Sequence, residues 1–351
     1  MRTDNHRFLG LLRDLLPITT CTLLLSITGC WQSSPDRVVV YTALDREFSA
    51  PLLESFSQTS GLTVDPKFDV ESTKTVGLTQ AILAEAKRPR CDVFWNNEIL
   101  NTIRLQKQGR LLPYVSTAGA AYPEAYRDPQ GYWYGFAARA RVLIVNTQRV
   151  DEASYPTSIH DLVDEKWQGR IGLAKPLFGT TATHATVLFH LWGTERATQF
   201  FQAAKNNAQI MAGNKQVALA VASGQLDWGI TDTDDANVER LKGSPVAIIY
   251  PDQADGEMGT LFIPNTVAII ANSPHPAAAK QLVEWVLSSE VEATLSAGPS
   301  AQIPLRPDVP ATAQVKTPGE IRPLSVDFGA AADSWDEAAP VLRDLFFRVG
   351  P

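Results

Sequence analysis

Ala138-Arg139-Ala140-Arg141-Val142-Leu143-Ile144-Val145, near the middle of the chain, is the stretch that decides the fold. Its end, Arg141 to Val145, is an apolar, β-branched run of strand length. On either side of it, short apolar runs alternate with helical periodicities, which is the sequence form of a parallel sheet flanked by helices. Before it the pattern predicts strands at 38–41, 62–70 and 91–95, with helices at 48–61, 75–87 and 98–108. After it come strands at 167–174, 228–231, 246–250 and 266–270, and helices at 183–192, 194–206, 214–223 and 277–287, with one more beginning near Asp232. Two α/β lobes joined by strands is the economical reading. The chain then crosses between lobes near 138–141 and again between 250 and 266, so residues 37–138 with 266–315 form one lobe and 139–265 with 316–351 the other. A chain of 351 residues is long for a single core, which agrees.

Hydrophobic residues make up 44% of the chain and charged residues 20%, a globular balance with a formal net charge of −7. No basic run or aromatic-interleaved Lys/Arg stripe offers a nucleic-acid surface, so nucleic acid is set aside.

Residues 1–30 read as an export signal: Arg2, His6, Arg7 and Arg13 precede an apolar stretch from Leu15 to Ile27. That stretch is shorter than the roughly 20 apolar residues of a membrane span, and it carries Pro17. Leu25-Ser26-Ile27-Thr28-Gly29-Cys30 resembles a bacterial lipobox, which implies lipidation at Cys30; the plainer alternative is a secretory signal with an incidental cysteine. Residues 31–36 would be a tether. Cys91 is then the one cysteine left in the mature domain, which can hold no internal disulfide, and its place in an apolar run marks it as a core thiol.

Three early segments, Val40-Tyr41-Thr42-Ala43-Leu44-Asp45-Arg46-Glu47, Cys91-Asp92-Val93-Phe94-Trp95-Asn96-Asn97-Glu98 and Ala138 to Val142, resemble the periplasmic ferric-binding proteins and their thiamine-binding relatives. So do Trp167-Gln168-Gly169-Arg170-Ile171-Gly172, Val217 to Gly224 and Gln302-Ile303-Pro304-Leu305. The resemblance covers nearly the whole mature chain. It implies a two-lobed α/β periplasmic binding protein type II fold, with two parallel or mixed sheets, flanking helices and a hinge. Together with the lipobox-like run at Cys30, it implies a monomeric solute-binding lipoprotein, periplasmic or at the cell surface, held to the membrane by its lipid and serving the permease and ATPase subunits of an ABC importer.

Iron-holding members of that family carry a His in the first loop, a Glu after the third strand and a Tyr-Tyr pair after a strand of the second lobe. The matching positions here are Asp45, Asn97 and Asp234-Asp235, none of the expected type. Carboxylate oxygen still suits a hard cation, so Asp45, Asp234 and Asp235 are candidate metal ligands, with Asp232 beside them and Glu98 in reserve. Capping of a helix start explains Asp232-Thr233-Asp234-Asp235 equally well. Gly179-Thr180-Thr181 precedes a predicted helix and suits an anion, which Arg139 would grip and Lys175 assist; a solvated Arg139 and a Thr cap are the alternatives. His184 and His190, six apart, do not share a helical face. Trp95, Tyr132, Trp133 and Tyr134 are candidate lining residues, or packing.

The expected cargo is ferric iron or a metal–anion complex, Fe3+ with a synergistic anion. The alternative is a zwitterionic organic such as an aminophosphonate or amino acid. No G-x-S-x-G, phosphate loop, dinucleotide fingerprint or H-E-x-x-H supports the rival reading of a hydrolytic enzyme, so no catalysis is expected.

Overall fold

The computed structural model describes residues 36–69, 75–310 and 314–347. The expected signal, Cys30 and most of the tether lie outside the described residues. Ten strands form the frame: β1 (Arg37–Thr42), β2 (Thr63–Phe68), β3 (Val93–Asn96), β4 (Leu111–Leu112), β5 (Tyr134–Asn146), β6 (Ile171–Ala174), β7 (Gln209–Met211), β8 (Trp228–Asp232), β9 (Val246–Ile249) and β10 (Phe262–Ile270). Their order is β2-β1-β3-β10-β5-β8-β6-β7, with β4 beside β10 and β9 beside β5.

β1 runs parallel to β2 and β3, and β6 runs parallel to β7 and β8. Between these two parallel groups stand the antiparallel strands β5 and β10. β5 belongs to both halves. Its first part, from Tyr134 to Ala140, pairs with β10, and its second, from Arg141 to Asn146, pairs with β8 and β9. All thirteen residues of β5 are buried, which is why the apolar run dominates this part of the sequence. Two parallel groups bridged by antiparallel strands and covered by helices make a mixed α/β fold, as the sequence pattern predicts.

At the crossing the register of β10 shifts between Ile263 and Asn265. Ala137 takes a φ of +43°, a conformation that non-glycine residues rarely adopt. Hydrogen bonds at Ala137 and its neighbours hold it there. The Glu292 carboxylate accepts from the Ala137, Leu305 and Arg306 amides at 2.8, 2.8 and 3.0 Å, and Ala138 exchanges two 2.7 Å backbone hydrogen bonds with Ile303. The Gln302 to Leu305 segment is therefore part of the crossing, where its Gln302 side chain accepts from Asn265 Nδ2 at 2.7 Å.

The helices cover the sheets with apolar faces. In α1 (Arg46–Ser60), Ser49, Leu52, Leu53 and Phe56 are buried, and Gly61 closes the helix at φ 73°. Each such Leu or Phe contributes about 1.5–3 kcal/mol by leaving water. α2 (Val76–Ala84), α3 (Leu100–Lys107), α4 (Gly179–Trp192), α5 (Thr194–Asn207), α6 (Asn214–Ala222), α7 (Thr233–Leu241), α8 (Pro276–Val286) and α9 (Ser289–Ala297) follow. α10 (Phe328–Asp333) and α11 (Trp335–Phe347) pack on α3, α4 and α5. Among the described residues no helix is long and apolar enough to cross a membrane.

Three sequence expectations change. The strand expected at 141–145 begins at Tyr134, because the buried Ala-Arg-Ala-Arg segment continues the ladder. The strand expected at 167–174 is confined to Ile171–Ala174, with Trp167 closing a single 3-10 turn before it. The helix expected from 183 starts at Gly179, so Thr180 and Thr181 stand inside its first turn.

Candidate functional site

The C-terminal ends of β6, β7 and β8 lead to Lys175, to Gly213-Asn214 and to Asp232. In parallel α/β sheets this is the end where ligands bind. A cavity of about 20 Å³ lies there, walled by Lys175, Gly179, Thr180, Thr181, Asn214, Asp232 and Asp235, and by Asn97 from beyond β3. Its enclosed part has room for roughly one water-sized occupant, and its mouth is open to solvent.

One side of the cavity is donor-rich. Helix α4 opens with Gly179 at φ 54°, and Phe178 at its N-cap gives no side-chain cap. Helix α6 opens beside it after Gly213, also without a side-chain cap. The first amides of a helix have no partner within it and carry partial positive charge, so the two openings and Lys175 suit an anion.

The floor is a buried polar ladder. Arg139 and Arg141, two apart on β5, project to one face. Arg141, 1% exposed, donates to Asp232 Oδ1 at 2.7 Å and to the hydroxyls of Thr180 and Thr181 at 3.3 Å each. Asp232 Oδ2 accepts from Thr180 Oγ1 at 2.5 Å and from Asn214 Nδ2 at 3.0 Å. Burial pushes the Asp232 carboxyl up, but Arg141, Arg139 and the Thr180 hydroxyl together hold it below the usual carboxylate range. Arg139 pairs with Asp234 at 3.4 Å, and Asp234 Oδ1 accepts from the Asp235 amide at 3.0 Å. Behind Arg141 sits His184, whose pKa burial, with help from the Arg141 charge, drives down to about 3.

Asn97, Gly179, Thr180, Thr181, Asp232 and Asp235 thus meet at one cavity. Arg139 and Asp234 pair with each other and do not line it. Asp45 occupies the N-cap of α1 without a side-chain cap bond, and its charge acts on both Arg139 and Lys215. Nearby Lys215 pairs with Glu47 at 3.0 Å, joining α6 to α1. Asp232 also stands at an N-cap, that of α7, without capping it; its oxygens are committed to Arg141, Thr180 and Asn214 instead. Carboxylate oxygens of Asp232, Asp234 and Asp235 lie within 4.8 Å of one another.

Glu98 does not wall the cavity as a reserve ligand. Its oxygens accept from Asn96 Nδ2 at 2.8 Å, the Asn101 amide at 3.1 Å and Thr183 Oγ1 at 2.8 Å, the last tying α4 to the end of β3. The four aromatics are packing residues as far as this cavity is concerned. Trp95 is fully buried against Phe136, the Tyr134 hydroxyl donates to the Tyr114 carbonyl, and Tyr132 and Trp133 face a different groove beside α3. Cys91 is buried and free, its thiol pKa pushed up by desolvation. Arg141 and Asn214 were missing from the sequence reading. Two arginines at i and i+2 in an apolar strand were the available signal, since buried guanidiniums demand carboxylates.

The chain is 23% identical over 268 residues to the "Fe(3+)-binding periplasmic protein" of Serratia marcescens, covering 75% of this chain and 77% of the relative. It is 26% identical over 160 residues to a "putative 2-aminoethylphosphonate-binding periplasmic protein" of Salmonella typhi, covering 44% and 46%. Iron-bound HitA from Pseudomonas aeruginosa superposes with a TM-score of 0.80 at 25% identity, covering 89% of this chain and all of that one. The pattern described as "Bacterial extracellular solute-binding protein" matches residues 102–321, and with that span the chain belongs to this family, whose members bind solutes and do not transform them.

Proposed function

We propose that the protein is the lipid-anchored binding component of an ABC importer, taking a small organic cargo that carries both an anionic and a cationic group. Its lobes are 37–138 with 266–315 and 139–265 with 316–351, joined at Ala137 to Arg141 and at β10, and cargo is held between them. The anionic group, a phosphonate or carboxylate, sits at the openings of α4 and α6 beside Lys175. The ammonium faces Asp235 and the Asn97 carbonyl oxygen, which is buried with no partner among the described residues.

The observation that carries this choice is the commitment of the acidic oxygens. Hard cations take six or more oxygen ligands in typical sites. Here both Asp232 oxygens and both Asp234 oxygens already accept from protein donors. An ammonium has three protons to place and asks for less.

A metal–anion complex is the second reading, with Asp45, Asp234 and Asp235 as ligands and the anion at the same helix openings. Two observations favour it: the small cavity suits a single ion, and the three carboxylates converge within 4.8 Å. The Serratia relative's name points the same way.

Calorimetric titration with 2-aminoethylphosphonate, an amino-acid panel and ferric citrate, each with and without chelator, separates the two. Heat from an organic ligand that survives chelation is the expected result. Binding of ferric citrate alone, abolished by chelator, would overturn the organic reading.

A further inference from the structure

We infer that Phe347, at the end of α11, is a positioning residue for the cargo: it holds the Lys175 ammonium at the cavity where the cargo's anionic group enters. The inference rests on the anion seat proposed above and names a residue that completes it from outside the cavity wall.

Lys175 is the one basic residue in that wall, and among the described residues its Nζ meets no carboxylate. Lys107, Lys166, Lys215 and Lys242 each pair with one. What the Lys175 Nζ meets is the ring of Phe347, 4.9 Å from its centroid, a distance at which an aromatic face attracts a cation. The same ring stands edge to face with Phe178 at 6.1 Å and 71°, and Phe178 also walls the cavity. Phe347 thus backs two wall residues without being one. Lys67, Lys280 and Lys316 also stand over rings, but none of them belongs to this wall.

The fold fixes the backbone of Lys175 and leaves its stem to be placed. The Lys175 amide donates to the Met211 carbonyl at 3.1 Å, and its carbonyl accepts from the Leu177 amide at 2.8 Å. A flexible four-carbon stem carries the charge, and a ring that holds one of its rotamers lowers the entropy lost when an anion binds. Phe347 is itself placed by a packed helix. Trp335, Ala338, Ala339, Leu342 and Phe346 of α11 are buried, and Phe346 meets Phe201 of α5 at 6.5 Å. Phe347 is 47% exposed, so its ring can be changed without opening the core.

The test is calorimetry of 2-aminoethylphosphonate binding to the purified protein and to Phe347→Leu, Phe347→Tyr, Lys175→Met and the double variant Lys175→Met/Phe347→Leu, with a melting curve to show that each is folded. Phe347→Leu keeps apolar bulk and loses the ring, and should loosen the ligand about two- to five-fold, the worth of one exposed cation–π contact. Phe347→Tyr restores a ring and should restore the affinity. Lys175→Met should lose at least as much as Phe347→Leu, and on that background the Leu change should cost nothing further, because it acts through the ammonium. A readout without ligand accompanies these: a lysine ε-methylene proton signal shifted upfield by the ring, present in the parent and absent from Phe347→Leu and Lys175→Met. Unchanged affinity in folded Phe347→Leu, a tyrosine as weak as the leucine, a loss that persists in full without Lys175, or no shifted signal in the parent would each refute the inference and leave the anion seat standing. Tighter binding by Phe347→Leu would refute it too, since the ring would then withhold the ammonium from the cargo. Failure of the parent to bind 2-aminoethylphosphonate would overturn both the inference and the organic reading.

Discussion

Replacing Arg141 by Met tests whether the ladder on β5 holds the second half of the fold. Arg141 and Asp232 are 1% and 2% exposed and 2.7 Å apart. At an effective dielectric of about 20 their attraction is on the order of 6 kcal/mol, set against a desolvation cost of several kcal/mol for each ion. The intact pair therefore nets little. The broken pair leaves a buried carboxylate beside Thr180 and Asn214 with no cation of its own, and that costs about 3–5 kcal/mol. For a chain of this size the melting temperature should fall by at least about 6 °C, measured at pH 7.5 by calorimetry. Adding Asp232→Asn to Arg141→Met removes the stranded charge. The double variant should regain about 2 kcal/mol over Arg141→Met alone, a coupling characteristic of residues in contact. If Arg141→Met melts within 1–2 °C of the parent, or if the second change adds a further full penalty, the pair does not carry the stability argued here.

Two other outcomes follow from the same groups and from the leader. His184 stays neutral in the fold down to about pH 3 but takes up a proton near 6.5 when unfolded, so the unfolded state binds more protons between those values and stability falls with acid. From pH 7.5 to 5.0 this term amounts to about 2 kcal/mol, and His184→Leu should lose that much less on acidification; identical pH slopes would refute the assignment. The lipid anchor proposed at Cys30 predicts that Cys30→Ser removes the protein from the membrane fraction, and unchanged fractionation would reject lipidation at that residue.

Most strands could be read in the sequence because burial on both faces writes a continuous apolar run, as in Val142 to Val145 or Val38 to Val40. Boundaries slipped where polar residues are buried. The ladder of β5 continues through Arg139 and Arg141, and α4 begins at Gly179 with three polar residues that a periodicity argument takes for a loop. The last helix was passed over although Trp335, Ala338, Ala339, Leu342 and Phe346 keep helical spacing, because Pro340 interrupts the pattern. At the site, the residue types and the strand ends were legible. The pairing was not: Arg141 meets Asp232 across 91 positions, and no local rule distinguishes an aspartate that caps a helix from one that neutralises a distant guanidinium.

That pairing also explains how a cargo site can change while its frame stays. The anion seat proposed above would be built from backbone amides, which depend on where α4 and α6 begin and tolerate exchange of the residues opposite them. Where those helices begin is fixed by Arg141, Thr180, Asp232 and Asn214, which bond one another and leave little to offer a ligand. Asn97 and Asp235, which wall the cavity beside this group, lie outside the strands. A relative can therefore keep the crossing strand, the left-handed turn at Ala137 and the helix openings while presenting different ligand types. For the same reason a shared fold does not by itself name the cargo.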